Sequence, residues 1–236
     1  MDLTSEKNFS IRNEAELYEK FLPLEGANII ELGCGSATLT RSIAENHSPE
    51  LIIACEVDPV QHKKNLCVTD LTNVRFVEAG AQSIPAPDTF ADIVLMFKSL
   101  HHVPLDELGT ALHEIKRVLR SGGLAYISEP VYAGNFNEVL RVFHDEKEVR
   151  EAAFLAVRKA VESGLFELVG QHFFELPREF RSYSEFESKM VDVTHTNHQL
   201  SPETLAAVRE QYNLYADDSG KAVLKSPMRV DLLRKP

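Results

Sequence analysis

Short apolar segments alternate with amphipathic segments along the first half of the chain, and this alternation is the feature that most restricts the fold. Five apolar segments are short enough to be buried strands: Asn28–Leu32, Leu51–Val57, Val74–Val77, Ile93–Phe97 and Leu124–Ser128. The segments between them, at Ser36–Ala44, Val60–Leu66 and Leu108–Leu119, have helical spacing. Strand–helix alternation with short turns predicts parallel strands joined by right-handed crossovers. We therefore expect a doubly wound α/β sheet, with a ligand beyond the carboxyl ends of its strands.

A glycine-containing loop follows the first predicted strand, in the stretch IIELGCGSATLT from Ile29 to Thr40. A turn of this kind brings backbone N–H groups and a helix N-terminus close to a ligand, where a Cβ atom would collide. Glu56 ends the second predicted strand, where an acid accepts hydrogen bonds from ribose hydroxyls in nucleotide-binding sheets. Together the two features predict a ligand that contains adenosine.

The spacing of the glycines selects among such ligands. The dinucleotide motif G-x-G-x-x-G requires glycine at position 38, which is Thr38, and the Gly-Lys-Ser/Thr ending of a P-loop is absent. The loop reads E-x-G-x-G-x-A from Glu31 to Ala37. With ACEVDP, FVEAGAQSIPAPDTFADIV, LHHVP and LHEIKRVLRSGGLAYISEP in the same order, it resembles the class I S-adenosylmethionine-dependent methyltransferases, in the type 11 group that acts mostly on small molecules.

This resemblance covers about Asn28 to Pro130. It implies a seven-stranded, mostly parallel, Rossmann-like sheet with an antiparallel last strand, and an isolated strand at Arg229–Leu233 is consistent with that order. It also implies S-adenosylmethionine as cofactor and transfer of its methyl group to a small-molecule acceptor by in-line displacement. Three alternatives stay open: an S-adenosylmethionine-binding sensor or partner subunit without turnover, a methyltransferase of proteins or tRNA, and a nicotinamide oxidoreductase, which Thr38 disfavours.

The resemblance also assigns cofactor contacts. Glu31, Gly33 and Gly35 would hold the methionine portion, Glu56 the ribose with Asp58 close by, and Ala81 and Gln82 the adenine edge, while Met96, Phe97 and Lys98 would line the methionine end. Three residues depart from the usual pattern: Ala37 replaces a glycine, Gly80 replaces an acid that bonds to the adenine amine, and Lys98 lies where a cationic sulfonium is expected. We expect the Lys98 amine to point away from the cofactor or to bind a carboxylate.

Catalytic and substrate-binding residues are less constrained, because displacement at an activated methyl group needs a base only when the nucleophile is protonated. His101 and His102 follow the fourth strand and are candidates for a base or a substrate contact; alternatively, at least one caps backbone groups. The candidate substrate contacts are Glu129, Tyr132, Arg178 and Arg181. The two arginines would clamp an anionic substrate or else form a solvated face. Cys34 is interpreted as a small filler of the loop.

We divide the chain into a lid helix within 1–27, the cofactor-binding core 28–130, a helical insertion 131–200 that covers the substrate, and a C-terminal helix and final strand within 201–236. The elements expected outside the core are helices at Ser10–Leu24, Asn135–Gly164 and Pro202–Tyr215 and a strand at Gln171–Phe174.

Composition excludes several classes of function. The net charge of -11 disfavours a nucleic-acid substrate. The three cysteines form no C-x-x-C pair, and the histidines of THTNH (Thr194–His198) lack nearby ligands, so we expect neither a disulfide framework nor a metal site. The N-terminus lacks a secretory pattern and no apolar run reaches membrane-spanning length, so we expect a cytoplasmic protein without membrane association. Oligomeric state is not predicted.

Overall fold

The structure, a computed structural model, describes residues 1–4, 9–192 and 199–236. Its strands are β1 Asn28–Leu32, β2 Leu51–Glu56, β3 Val74–Glu78, β4 Ala91–Phe97, β5 Leu119–Pro130, β6 Glu167–Phe180 and β7 Ala222–Arg234. Its helices are α1 Glu14–Phe21, α2 Thr38–Asn46, α3 Pro59–Asn65, α4 Leu108–Val118, α5 Gly134–Leu140, α6 Lys147–Glu162, α7 Tyr183–Met190 and α8 Pro202–Asn213, with a 3₁₀ turn at Leu100–His102.

The strands form one seven-stranded sheet in the order β3-β2-β1-β4-β5-β7-β6. Strands β1 to β5 are parallel, and β7 runs antiparallel between β5 and β6. This arrangement confirms the expected doubly wound sheet with an antiparallel last strand. The strand order reverses between β1 and β4, so the carboxyl ends of these two strands flank the crevice where such sheets bind ligands.

The parallel strands are buried on both faces, which explains their nearly continuous apolar sequences. On one face, Ile30 and Val94 pack against α4 and α6. On the other, Ile29 and Leu95 pack against α1 and α2, where Tyr18 is fully buried. The N-terminal helix predicted within 1–27 is thus part of the core that supports β1.

The ends of β6 and β7 carry a further apolar layer formed with α5, α7 and α8. Its members are mainly aromatic and aliphatic side chains, including Phe136, Phe180, Phe186, Tyr212 and Leu224. This layer accounts for most of the aromatic residues that follow Pro130, and it holds α5 against β7.

Several predicted element boundaries were wrong. The expected helix at Ser10–Leu24 is shorter, because the Asn13 capping box starts α1 at Glu14. The glycines of RSGG do not end α4, which stops at Val118. Strand β5 already begins at Leu119, three residues before Gly122, and the Gly122 N–H donates to the Lys235 carbonyl just beyond the end of β7.

The region expected to form one long helix at Asn135–Gly164 is two helices, α5 and α6. The strand expected at Gln171–Phe174 is the 14-residue β6, which pairs with β7 along its length. The interval 131–200 therefore contains a strand of the main sheet besides its helices, and its role as a lid stays a prediction. The THTNH motif lies outside the described residues, among which no helix is long and apolar enough to cross a bilayer.

Candidate active site

The loop between β1 and α2 is held against β2 by its own backbone. The N–H groups of Gly33 and Cys34 both donate to the Cys55 carbonyl at 2.9 Å. Three residues of the loop adopt the left-handed backbone conformation: Gly33 (φ +75°), Gly35 (φ +53°) and Ala37 (φ +59°). The residue that replaces the third glycine of the motif thus adopts the conformation that a glycine would accept more readily.

The two glycines of the loop face different surroundings. A Cβ atom on Gly33 would lie 2.6 Å from the Cβ atom of Ser99, in the turn after β4. That turn is attached to β1 because the Ser99 hydroxyl donates to the Leu32 carbonyl at 2.7 Å. A Cβ atom on Gly35 would meet nothing within 4 Å. Gly33 is therefore required by packing within the protein, whereas Gly35 borders open space that a ligand can fill.

Glu56 lies directly beside this loop, at the end of β2. One carboxylate oxygen accepts from the Gly35 N–H at 2.7 Å and the other accepts from the Asp58 N–H at 2.8 Å. Asp58 caps α3, since its side chain accepts from the Val60 N–H at 2.8 Å. The structure thus brings together Gly35, Glu56 and Asp58, three of the predicted cofactor residues.

Glu31 is buried beneath the loop, where its carboxylate accepts a 2.6 Å hydrogen bond from the Thr40 hydroxyl. Burial raises the pKa of Glu31 to about 7, with Glu56 adding to the rise, while the Thr40 hydrogen bond and the Lys98 charge oppose it. A carboxyl group poised near neutrality next to the loop can ionise fully when a cation binds close to it.

The loop has three supporting residues that sequence reasoning missed. Besides Thr40 and Ser99, Asn65 of α3 donates from its side chain to the Gly35 carbonyl at 2.8 Å and lies 3.6 Å from the Cys34 sulfur. Burial is the main cause that raises the pKa of the Cys34 thiol far above its usual value, so this thiol is an inert filler rather than a nucleophile. Asn65 carries no sequence signal, because no motif in α3 marks a contact with the loop.

The turn after β3 holds the residues predicted to meet the adenine. Ala81 is buried, and Gln82 is half-buried with its carboxamide folded over Gly80. A side chain at position 80 would collide with that carboxamide. The amide group of Gln82 therefore occupies the volume that the missing acid at position 80 would need.

Phe97, the last residue of β4, and Lys98, which follows it, lie in different environments. The Phe97 ring is buried in an aromatic group, 5.9 Å from the Tyr18 ring and 5.6 Å from the Tyr126 ring. Lys98 has φ +57°, and its ammonium lies 3.7 Å from the buried Glu14 carboxylate. The amine binds a carboxylate, as expected of a lysine close to a cation site.

His101 is buried between two carboxylates in the turn after β4. Its Nδ1 bonds to Glu129 at the end of β5, whose other oxygen accepts from the Leu100 N–H at 2.9 Å. Its Nε2 lies 3.6 Å from Glu146, which also bonds to Arg150 of α6. The three side chains join β4, β5 and the start of α6.

This geometry stabilises the charged form of His101. Burial lowers the pKa of the imidazole, but the Glu129 charge and the bonds to Glu129 and Glu146 outweigh it and raise the pKa to about 9. Burial likewise raises the pKa of Glu129, and His101 outweighs it, so that this pKa lies below its usual range. A charged His101 has no lone pair with which to accept a proton or bind a metal, and both oxygens of Glu129 are already engaged.

His102 is exposed, with its ring centre 4.0 Å from that of His101. Among the described residues, ligand atoms of His101, His102 and Glu146 lie within 4.8 Å of one another. The raised pKa of His101 opposes a metal at this position, because a charged imidazole has no lone pair to offer and repels a second cation. The roles predicted for His102 stay open.

The predicted substrate residues after β5 are separated by the fold. The Tyr132 side chain is half-buried near Asp145, whose charge adds to its desolvation in raising the pKa of the phenol. Arg178 is half-buried on β6, with its guanidinium 4.4 Å from the centre of the Phe136 ring. Arg181 is exposed at the start of α7. Of the cluster around His101, the Glu146 carboxylate acts electrostatically on Arg178.

Residues 30–127 match the family model described as a methyltransferase domain. One relative is the chloroplast 2-methyl-6-phytyl-1,4-hydroquinone methyltransferase of Spinacia oleracea, 27% identical over 128 residues, which are 52% of this chain and 37% of that protein. Another is the fatty-acid O-methyltransferase of Mycolicibacterium smegmatis, 30% identical over 102 residues, which are 42% of this chain and 36% of that protein. The chain thus spans well under two thirds of the length of these curated relatives.

The fold is also found in a crystal structure from Bacillus halodurans C-125, with a TM-score of 0.66 and 16% identity over 94% of this chain and 99% of the other. Because the two sequences are 16% identical, this likeness shows a shared fold and nothing about activity. With the family match, it identifies residues 30–127 as a class I methyltransferase domain, whose family and relatives imply S-adenosylmethionine as the cofactor.

Proposed function

We propose that this chain, whose residues 30–127 form a class I S-adenosylmethionine-dependent methyltransferase domain, transfers a methyl group to a small-molecule acceptor. The observation that carries the proposal is the junction of the glycine loop with β2, where the Glu56 carboxylate lies 2.7 Å from the Gly35 nitrogen and Gly35 borders open space. A buried acid next to an open glycine loop suits a ligand with a ribose and a positive charge.

Five of the predicted cofactor residues have a role in this proposal. Glu56 accepts hydrogen bonds from the ribose hydroxyls, and the loop at Gly35 follows the methionine chain. Glu31 supplies negative charge beneath the loop, and its pKa of about 7 lets it ionise in response to a cationic ligand. Ala81 and the Gln82 carboxamide face the adenine, with Gln82 in the place of the acid that Gly80 lacks.

The cofactor supplies a methyl group already activated by positively charged sulfur, so the contribution of the chain is mainly alignment and exclusion of water. The tie between Ser99 and Leu32 fixes the turn after β4 against the loop. Lys98 does not oppose a cation there, since its charge is directed to Glu14.

His101 acts in this proposal as a positioning residue. Its links to Glu129 and Glu146 hold the turn after β4 to β5 and α6, and its raised pKa disfavours the role of general base. If the acceptor loses a proton during transfer, the exposed His102 is the better candidate to receive it.

The acceptor is assigned to the class of small organic molecules. The relatives are named for a hydroquinone and for fatty acids, which supports such an acceptor. The net charge of -11 disfavours a nucleic-acid substrate by long-range repulsion. The space beyond the carboxyl ends of β4 and β5, next to α5 and α6, is the proposed acceptor side.

The proposal is tested by calorimetric titration with S-adenosylmethionine, S-adenosylhomocysteine and NADH. We expect the first two to bind and NADH not to bind. Glu56→Gln should weaken S-adenosylhomocysteine binding by about 10- to 100-fold, because hydrogen bonds to a charged group contribute about 1.5–3 kcal/mol each. Glu78→Gln is the matched control, since Glu78 ends the adjacent strand in register with Glu56 but is exposed.

Two results would contradict the proposal. Binding of NADH alone would point to nicotinamide chemistry, and equal losses for Glu56→Gln and Glu78→Gln would remove Glu56 from the site. Tight binding with no transfer to any of a panel of phenols, hydroquinones, carboxylic acids and amines would favour the sensor or partner-subunit alternative.

A further inference from the structure

Arg178 is a cation that forms no ion pair with the described residues, at the edge of the proposed acceptor side. Its guanidinium stacks on the Phe136 ring, and its Nε atom is buried without a hydrogen-bond partner. In the described part of the chain, no hydrogen bond or ion pair reaches the Arg178 guanidinium. Desolvation lowers its pKa, which reflects the cost of holding this charge partly out of water.

The neighbouring Arg150, in contrast, has an ion-pair partner and further hydrogen-bond acceptors. Its guanidinium bonds to the Glu146 carboxylate, to the Asn137 side-chain oxygen at 3.0 Å and to the Val131 carbonyl at 3.4 Å. Arg150 and Glu146 both act electrostatically on Arg178. Glu146 is thus already shared by Arg150, His101 and His144.

The charges of this cluster do not balance. The cations are Arg150, Arg178 and His101, whose pKa is raised to about 9, and the anions are Glu129 and Glu146. The adjoining groups do not offset the excess, because Arg229, which acts on Glu129, is paired with Asp231, and His144 beside Glu146 carries no negative charge. Three positive and two negative charges leave one positive charge in excess, within a chain whose net charge is -11. Uncompensated charge in a partly buried site is costly and is retained where a ligand balances it.

Further donors near these arginines have no hydrogen-bond partner in the part of the chain that the structure describes. The side-chain nitrogen of Asn137, the Nε of Arg150 and the hydroxyl of Ser226 are all buried without a hydrogen bond. Asn137 bonds to Arg150 through its oxygen, and Ser226 is opposite Leu176, two residues before Arg178 on β6. Unsatisfied buried donors are uncommon in folded proteins, so a group of them around an excess cation favours an anionic ligand.

The cluster is connected to the point of methyl transfer. Glu146 contacts His101, which lies two residues after Ser99, and Ser99 packs against Gly33 of the glycine loop. Glu146 in turn acts electrostatically on Arg178. A chain of contacts therefore links the loop, the turn after β4 and the surroundings of Arg178.

We propose that Arg178 binds an oxyanion, a carboxylate or a phosphate, carried by the acceptor of the methyl group. The planar guanidinium can donate two parallel hydrogen bonds to either group, and Phe136 beneath it holds the plane in place. Arg178 then determines specificity by selecting acidic acceptors over their neutral analogues. This inference rests on the proposed methyltransferase function and specifies the class of its substrate.

The test uses the full chain saturated with S-adenosylhomocysteine and probes of matched shape and different charge. Benzoate, hexanoate and decanoate are each compared with the corresponding primary amide, and phenyl phosphate with phenol, by thermal shift and calorimetry at constant ionic strength. Arg178→Met is compared with Arg181→Met, which removes the same charge three residues away from an exposed position.

We expect at least one oxyanion to bind the wild-type chain at least about tenfold more tightly than its neutral partner. Arg178→Met should abolish this preference and Arg181→Met should keep it. Without any probe, Arg178→Met should leave the melting temperature unchanged or raise it, because it removes an uncompensated charge. Preference for carboxylates over the phosphate, or the reverse, identifies which oxyanion the site accepts.

Three results would overturn the inference: no oxyanion distinguished from its neutral partner, equal loss of the preference in both variants, or a large fall in the melting temperature of Arg178→Met alone. The last would mean that Arg178 stabilises the fold. Binding of S-adenosylhomocysteine is measured on the same samples. If the wild-type chain binds it but shows no oxyanion preference, only the inference about Arg178 is refuted. If the wild-type chain does not bind it, the proposed function is refuted.

Discussion

Replacing Gly33 by alanine tests whether the glycine loop is constrained by the protein or by its ligand. The new Cβ atom would lie 2.6 Å from the Ser99 Cβ and 3.2 Å from its hydroxyl oxygen. The backbone of Gly33 also has φ +75°, which an L-residue adopts at a cost. Both effects act in the protein without cofactor, so the substitution should lower stability before any ligand is added.

The expected loss follows from two costs. The left-handed conformation costs a residue with a Cβ atom about 1–2 kcal/mol, and the collision adds about 1–3 kcal/mol of overpacking. Gly35→Ala is the matched control, since Gly35 has φ +53° but no atom within 4 Å of its added Cβ. The effect of alanine on the unfolded chain is the same at both positions and cancels in the comparison. Gly33→Ala should therefore be less stable than Gly35→Ala by about 1–3 kcal/mol.

The measurement is urea unfolding followed by far-ultraviolet circular dichroism, because the chain has no tryptophan to report on its core. A double-mutant cycle with Ser99→Gly isolates the collision. Removing the Ser99 side chain leaves space for the new methyl group, so Gly33→Ala should cost about 1–3 kcal/mol less in the Ser99→Gly background.

Additive effects in this cycle would refute the reasoning, since they would mean that Ser99 does not limit residue 33. Equal stability losses for Gly33→Ala and Gly35→Ala would refute it as well. The two variants should also separate in function: Gly35→Ala should lose S-adenosylhomocysteine affinity with little further loss of stability, because its methyl group points into the space proposed for the cofactor.

The remaining predictions concern the buried charges. The pKa of Glu31 is about 7 in the folded chain and 4.5 ordinarily, so its ionisation destabilises the fold increasingly from pH 4.5 to 7 and fully above pH 7. In urea unfolding, Glu31→Gln should therefore add up to about 3 kcal/mol of stability near pH 8 and almost none near pH 4.5. An equal gain at both pH values would contradict the assignment. Among the described residues, Lys98→Met leaves the Glu14 carboxylate with the Tyr126 hydroxyl at 2.9 Å as its one partner, so the substitution should cost about 1–3 kcal/mol. Glu14→Gln should largely restore this loss in the double variant, and additive losses would show that the two charges are independent. The raised pKa of His101, about 9, implies a stabilisation of the fold that is complete below about pH 6.5 and is lost as the pH rises through 9. His101→Gln should remove this dependence of the melting temperature on pH, and His102→Gln should keep it. A loss of activity in His101→Gln without a change in that dependence would instead indicate a catalytic role.

Much of the fold was predictable because it depends on local patterns. The first four parallel strands lie within two residues of their predicted positions, since short apolar runs buried on both faces leave a signal at every residue. The beginning of β5 and the length of β6 were not predictable. Both depend on pairing with β7, whose partners are distant along the chain, and neither glycine pairs nor mixed polar sequence reveal such pairing.

The candidate cofactor site was partly predictable for a similar reason. Gly33, Gly35 and Glu56 belong to motifs whose spacing along the chain carries the information. The reason for each glycine was not visible in the sequence: Gly33 avoids Ser99, whereas Gly35 borders space. Asn65, which donates to the Gly35 carbonyl, was missed because nothing in its own segment marks the contact.

The sequence by itself determined the alternation of strands and helices as far as Pro130, the position of the loop at the end of β1 and the type of ligand that such a loop accepts, because hydrophobic periodicity and motif spacing are local properties. Tertiary structure alone decided the state of the charges. The pKa of His101 is raised because Glu129 and Glu146, 28 and 45 residues away, enclose it. Arg178 forms no ion pair within the described part of the chain because Glu146 is taken by Arg150. Burial and pairing set the energy of a charge, and both arise only when distant segments meet.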